Sequence, residues 1–301
     1  MPMSRRAFTL PELLVVIAIV GVLLALTIPA VQRARAAADQ TVCKHRLREL
    51  GVALAMYHTE RGRLPPGCSG EQTPTPHLSW HARLLPYLGR LELWQQTQAA
   101  FAQEKFFVKE PPHQVAGQVI AEFICPSDPR LNQAAEFDSV AGGKMRRAFT
   151  SYLGASGLDQ NARDGMLFLD SMTRLADAQD GLSQTLLVGE RPPSAILNLG
   201  WWYGGWGMAK TGAGEMILGV REINTFPPDH PYGGQYPPGP YEFKPGKLDD
   251  QQAQFHYWSL HLGGGHFLFA DQSVRFLRYS AASILPALAT RDGREPVTLP
   301  D

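Results

Sequence analysis

Glu12 is the first side chain in this 301-residue sequence that demands a chemical reason, because it stands at the rim of an apolar run with no charge before Arg33. A carboxylate costs about 2.5 to 3.5 kcal/mol near the centre of a bilayer and less near its edge. Thiol chemistry is offered by Cys43, Cys68 and Cys125. Their spacing is too wide for a zinc ribbon or a Cys-x-x-Cys redox pair. If the chain beyond the apolar run lies outside the cytoplasm, Cys43 and Cys125 can form a disulfide that ties a long helix to the head. The other reading is three small buried hydrophobes. Cys68 follows Pro66-Gly67 in a loop and is the odd one out.

His256, His261 and His266 recur every five residues, an arrangement that invites a metal. On a strand this spacing alternates faces, and on a helix it turns the rings about 140° apart. Only a loop through Gly263-Gly264-Gly265 gathers them, so the expectation is a hydrogen-bonded structural His261 and no metal. Asp128, Asp249 and Asp250 offer oxygen without the Asp-x-Asp-x-Asp-Gly pattern of a calcium loop. Gly-x-Ser-x-Gly, phosphate-loop and dinucleotide patterns are missing, so no catalytic residue and no cofactor is assigned. The block Gly200-Trp201-Trp202-Tyr203-Gly204-Gly205-Trp206-Gly207 has two readings. Trp201, Trp202 and Trp206 form a candidate stacking platform for polysaccharide, or alternate rings enter the core while the glycines allow bends.

These groups need elements to hold them. The twenty uncharged residues from Leu13 to Gln32 make a helix of about 30 Å, the thickness of a bilayer's hydrocarbon core. Beyond Pro29, expected to bend the helix, Cys43, Leu47, Leu50, Leu54 and Tyr57 form one apolar stripe opposite Lys44, Arg46, Arg48 and Glu49. The helix should stop near Gly62, sealed by Pro65 and Pro66. Strand-like runs follow: VIAEFIC to Cys125, SYLGA from Ser151, TLLVGE from Thr185, EMILGV from Glu215, and the pair HFLFAD and SVRFL around Asp271. Ser79 to Phe107 and Ala281 to Thr290 read as mostly helical, and residues 226–246, rich in Pro, Gly and Tyr, as an extended loop. A formal net charge of zero, with no basic face interleaved with aromatics, argues against a nucleic-acid partner.

The start, Arg5-Arg6-Ala7-Phe8-Thr9-Leu10-Pro11-Glu12 before the apolar run, resembles a prepilin-type N-terminus. A secretory signal would instead be cut after its apolar run, near Ala25 or Ala30, and would not carry Glu12. The resemblance implies that a prepilin peptidase cuts between Ala7 and Phe8, that the new Phe8 amine is methylated, and that Glu12 meets the Phe8 amine of a neighbouring subunit. Ala7 stands where glycine is usual. Arginines flank the span on both sides, Arg5 and Arg6 before and Arg33 and Arg35 after, so orientation rests on the motif.

Further segments fall in one order: CKHRLRELGVALAMYHTERGRLPPG, SWHARLLPYLG, FICPSD, SYLGASG, DGLSQTLLVGER and HLGGGHFLFADQSVRFL. In that order they resemble bacterial prepilin-type proteins with a DUF1559 domain, also named for a His, nine residues, Asp-Gly element. Here that element runs from His261 to Asp271, with Gln272 in place of the glycine. The implied fold is α+β and pilin-like: a leader (1–7), a transmembrane helix (8–32), an amphipathic half-helix (33–62), and an enlarged head (63–301) on an antiparallel sheet. The implied role is a pseudopilin-like subunit of a type II secretion or type IV pilus-like fibre, single-pass in the bacterial inner membrane, with its head in the periplasm or on an extracellular fibre. Its expected partners are prepilin peptidase, other pilin subunits and membrane lipid. The alternative is a surface-displayed protein whose head captures polysaccharide or a secreted partner.

Overall fold

The computed structural model describes residues 10–230, 234–295 and 297, so the Ala7/Phe8 processing site lies outside the described residues. Helix α1 runs from Leu10 to Arg61 with Pro29 inside it. Two units divide after Thr41. In the first, the helix is long and apolar enough to cross a membrane, and none of its most apolar 18-residue window is buried. Thr27 pairs its hydroxyl by donating to the Leu23 carbonyl at 2.9 Å, so this polar group is satisfied within the helix.

In the second unit, the α1 stripe is buried at Cys43, Leu47, Leu50, Ala53 and Leu54. Gly51 lets the helix approach the sheet, since a Cβ there would fall 2.8 Å from Leu268 Cδ1. The stop is where the sequence places it: Gly62 takes a φ of 70° and donates to the His58 carbonyl at 2.8 Å.

The elements that follow are α2 (Trp80–Leu84), α3 (Leu91–Gln103), β1 (Ala135–Asp138), β2 (Lys144–Arg147), β3 (Tyr152–Gly157), β4 (Leu186–Glu190), β5 (Ile217–Gly219), β6 (Arg221–Glu222), β7 (Tyr241–Glu242), β8 (Gly264–Phe269), β9 (Val274–Arg278) and α4 (Leu285–Ala289). The main sheet has the order β5-β3-β4-β8-β9. All its pairs are antiparallel except β3 with β5. β1 with β2 and β6 with β7 form two small ladders.

Both faces of the sheet are covered. Leu268 and Val188 pack in the cluster that contains Leu47, Leu50 and Leu54 of α1. Leu153, Phe267 and Phe269 pack with Leu285 and Leu288 of α4. This explains why β3, β4 and β8 are buried at every position rather than alternating. The architecture is the expected α+β fold, a long N-terminal helix and an antiparallel-rich sheet.

One expected strand is not formed. VIAEFIC instead carries a tight turn at Ala121–Phe123, with Phe123 donating to the Ile120 carbonyl at 3.0 Å. Its apolar residues Ile120, Phe123 and Ile124 reach the core from that turn. Glu122 stays with Arg90 at 3.0 Å. The proline-rich loop contains β7 and the stacked pair Phe226–His230, whose ring centroids lie 4.2 Å apart.

Candidate functional site

Where α1 meets the sheet, five buried side chains from distant parts of the chain converge. Cys43 comes from the helix and Cys125 from the turn after Ile124. Glu190 ends β4, His261 sits in the loop before β8, and His266 lies on β8. The Cys43 and Cys125 sulfurs are 2.7 Å apart. His261 Nε2 lies 3.8 Å from Cys125 Sγ and 3.4 Å from Glu190 Oε1. The same carboxylate oxygen is 3.3 Å from His266 Nδ1, and Glu190 Oε2 accepts the His266 backbone N–H at 2.7 Å.

Local structure fixes each member. The Cys125 backbone N–H donates to Ser151 Oγ at 2.9 Å. Beside it, Arg46 of α1 donates to the Ile124 carbonyl. Ser259 Oγ accepts the His261 backbone N–H at 3.0 Å and donates to the Gly264 carbonyl at 2.7 Å, closing the loop that carries His261. Gly263, with a φ of 84°, turns that loop into β8. The five-residue spacing therefore does bring His261 and His266 together, with ring centroids 5.4 Å apart. His256 goes elsewhere, its Nδ1 3.0 Å from the Tyr257 carbonyl.

Charges in this cluster support one another. Burial opposes ionisation of Glu190, yet His261 and His266 hold its carboxyl down at about 2. Burial likewise works against a charged His261, but hydrogen bonds to Cys125 and Glu190 carry it up to about 10. The Cys125 thiol is pushed down, first by the Cys43 thiol donating to it and next, against burial, by His261. The Cys43 thiol is pushed far up by that same hydrogen bond and by burial. Cys68 stands apart, buried, with burial raising its thiol.

Two donor triads, Cys43-Cys125-His261 and Glu190-His261-His266, each lie within 4.8 Å. Two thiolates on one tetrahedral metal, each bonded at about 2.3 Å, stand about 3.8 Å apart. The Cys43 and Cys125 sulfurs are much closer than that, and His261 and His266 each set one ring nitrogen against Glu190 Oε1. The arrangement of Cys43, Cys125 and His261 is that of a thiol pair beside an imidazole that also faces a carboxylate.

The other sequence candidates take structural places. Trp202 is fully buried and Trp201 is 7% exposed. Their indole N–H groups donate to the Gln118 carbonyl at 2.9 Å and the Leu197 carbonyl at 3.2 Å. Trp206 packs edge-on to Phe107 with centroids 4.8 Å apart. The exposed platform considered for these three rings is corrected accordingly: Trp201 and Trp202 belong to the core. A cleft of about 310 Å³ elsewhere in the head is lined mainly by aromatics and cations, Tyr57, Arg61, Arg63, Arg83, Tyr87 and Trp94 among them.

Asp271 lies in the β8–β9 hairpin and accepts the Ser273 N–H at 2.9 Å. Gln272 itself adopts the left-handed conformation, with a φ of 68°. The turn has therefore kept the geometry that suits glycine, and Gln272→Gly is expected to stabilise the head by about 1 kcal/mol, measured as a raised melting temperature. A lowered melting temperature would mean that the Gln272 side chain, which lines a groove with Val52 and Met56, contributes more than the strain costs.

The chain matches two families. Residues 32–283 match the family described as "Protein of unknown function (DUF1559)". Residues 2–28 match the "Prokaryotic N-terminal methylation motif". No curated protein matches the chain. No solved structure matches it either.

Proposed function

We propose, since this chain belongs to the DUF1559 family and opens with the prokaryotic N-terminal methylation motif, that it is a pseudopilin-like subunit of a type II secretion or type IV pilus-like fibre. Its role is structural rather than enzymatic. The observation that carries this reading is the coincidence of the methylation motif with the membrane-length part of α1, whose first turn holds Glu12. In this reading prepilin peptidase cuts between Ala7 and Phe8, and the Phe8 amine is methylated. The subunit waits in the inner membrane with its head outside the cytoplasm, and α1 packs laterally against neighbouring subunits.

Intact mass and N-terminal identity of the protein from native membranes test the proposal. The expected chain starts at N-methylated Phe8. A chain starting at Met1 would reduce the protein to a simple membrane anchor. A cut after Ala25 or Ala30 would make it a secreted soluble protein.

A further inference from the structure

Packing of α1 on the head accounts for the burial of Cys43 but not for the thiol, carboxylate and imidazole groups gathered around it. We propose that Cys43 and Cys125 close into a disulfide, with Cys125 as the attacking sulfur and His261, held by Glu190, as the positioning cation beside it. Closure in the cell rests on the export reading above, because disulfides persist outside reducing compartments.

Geometry carries the inference. The sulfurs are 2.7 Å apart and the residues are separated by 82 positions in the chain. They belong to different elements, one on α1 and one on the turn that Ser151 fixes. Cys43 is fully buried, whereas Cys125 is 4% exposed. Of the two, Cys125 is the one nearer the surface, so the proposal gives it the first encounter with an external sulfur. His261 Nε2 lies 3.8 Å from Cys125 Sγ, and an imidazolium at that distance favours the thiolate, which is the form that attacks.

The oxidant is a disulfide, RSSR. The Cys125 thiolate attacks one oxidant sulfur, forming a mixed disulfide and releasing the first RS⁻. Cys43 then loses its proton and attacks Cys125 Sγ, expelling the second RS⁻. Both leaving thiolates take up protons, so RSSR and two protein thiols give one protein disulfide and two RSH. The product clamps the amphipathic half of α1 to the head beside the Arg46 to Ile124 tether.

Two measurements on the full-length chain test the proposal. The first alkylates denatured protein from native membranes before and after reduction. One modified cysteine before reduction, Cys68, and three after are expected, with Cys43 and Cys125 in one linked peptide. Three free thiols on a chain that begins at N-methylated Phe8 overturn the disulfide and leave the export reading standing. Three on a chain that begins at Met1 overturn the export reading, and the second measurement then decides the disulfide by itself.

In that second measurement, reduced protein in detergent is oxidised with glutathione disulfide across pH, as wild type and as His261→Gln. The wild-type rate should reach half its maximum well below the ordinary thiol value of about 8.5. The variant should close about tenfold more slowly at pH 6 and overtake wild type above about pH 9, because a thiol of higher pKa is the better nucleophile once ionised. A wild-type half-point near 8.5 overturns the role of the cation even if the variant fails to fold. Parallel pH profiles for the two proteins reduce His261 to a packing residue. Failure to link Cys43 to Cys125 overturns the disulfide itself. Reduction of the linked protein should lower its melting temperature by about 10 °C, since the closed loop is long.

Discussion

Glu190→Gln is expected to lower the stability of the head by about 3 kcal/mol, or about 6 to 12 °C in melting temperature. The glutamine keeps an oxygen for the His266 backbone N–H, so the hydrogen bond at 2.7 Å is not what is lost. The loss is the anion between two buried imidazoles, His261 at 3.4 Å and His266 at 3.3 Å. Breaking a buried pair by removing one partner leaves the other charge uncompensated, and that is costlier than the pair is stabilising. The pH dependence distinguishes this from a general packing defect. Glu190 ionises at about 2 in the fold against 4.5 for an ordinary glutamate, so its contribution is complete above 4.5 and disappears as pH falls through 2. His261, raised from 6.5 to about 10, contributes fully below 6.5 and loses its contribution as pH rises through 10. The gap between wild type and variant should therefore be widest between these ordinary values and narrow on both sides. Melting curves of both proteins at pH 2.5, 5.5 and 10 provide the check. A gap that is constant with pH would show that the charge of Glu190 is not what stabilises the site.

This cluster also marks where sequence reading stops. The apolar span, the α1 stripe ending at Gly62, and the β8–β9 pair are local patterns, and each appears where its period or its glycine puts it. The run to Cys125 failed as a strand because a short apolar run bounded by proline carries no period that separates a strand from a buried turn. Glu190 was harder still. Its carboxylate answers a histidine 76 residues away, and no window of sequence contains both. Its one local sign is an acid closing the apolar run Leu186-Leu187-Val188-Gly189, where a charge must find a partner or be excluded. The meeting of His261 with His266 depended on the loop at Gly263, a contingency visible in the glycines but not decided by them. The tryptophan block was ambiguous because aromatic rings stack as readily on one another in a core as on a sugar at a surface.

Glu12→Ala is expected to leave insertion unchanged while weakening lateral association between subunits about a hundredfold, the equivalent of a buried ion pair broken from one side. Insertion survives because the span owes its membrane affinity to the apolar residues that follow, and removing a carboxylate makes it more apolar still. Glu12 lies in the first turn of α1, where the helix dipole favours an anion, so the isolated subunit tolerates the charge at little cost. Tolerance alone does not explain why an acid should occupy the rim of an apolar span. A reason appears when a second subunit brings its Phe8 amine to that depth, because opposite charges attract strongly where water is scarce. Association would then be favoured in the register that pairs them and disfavoured in registers that leave both alone. Cross-linking through cysteines placed on the exposed apolar face of α1, scored as the fraction of subunits in multimers in native membranes, reads this directly. Glu12→Gln separates charge from shape, since it retains the side-chain length and loses the anion. If Glu12→Gln assembles like wild type while Glu12→Ala does not, packing rather than charge sets the register. If Glu12→Ala assembles normally, the proposed pairing of Glu12 with Phe8 is wrong, and lateral packing must be specified by the apolar residues of α1.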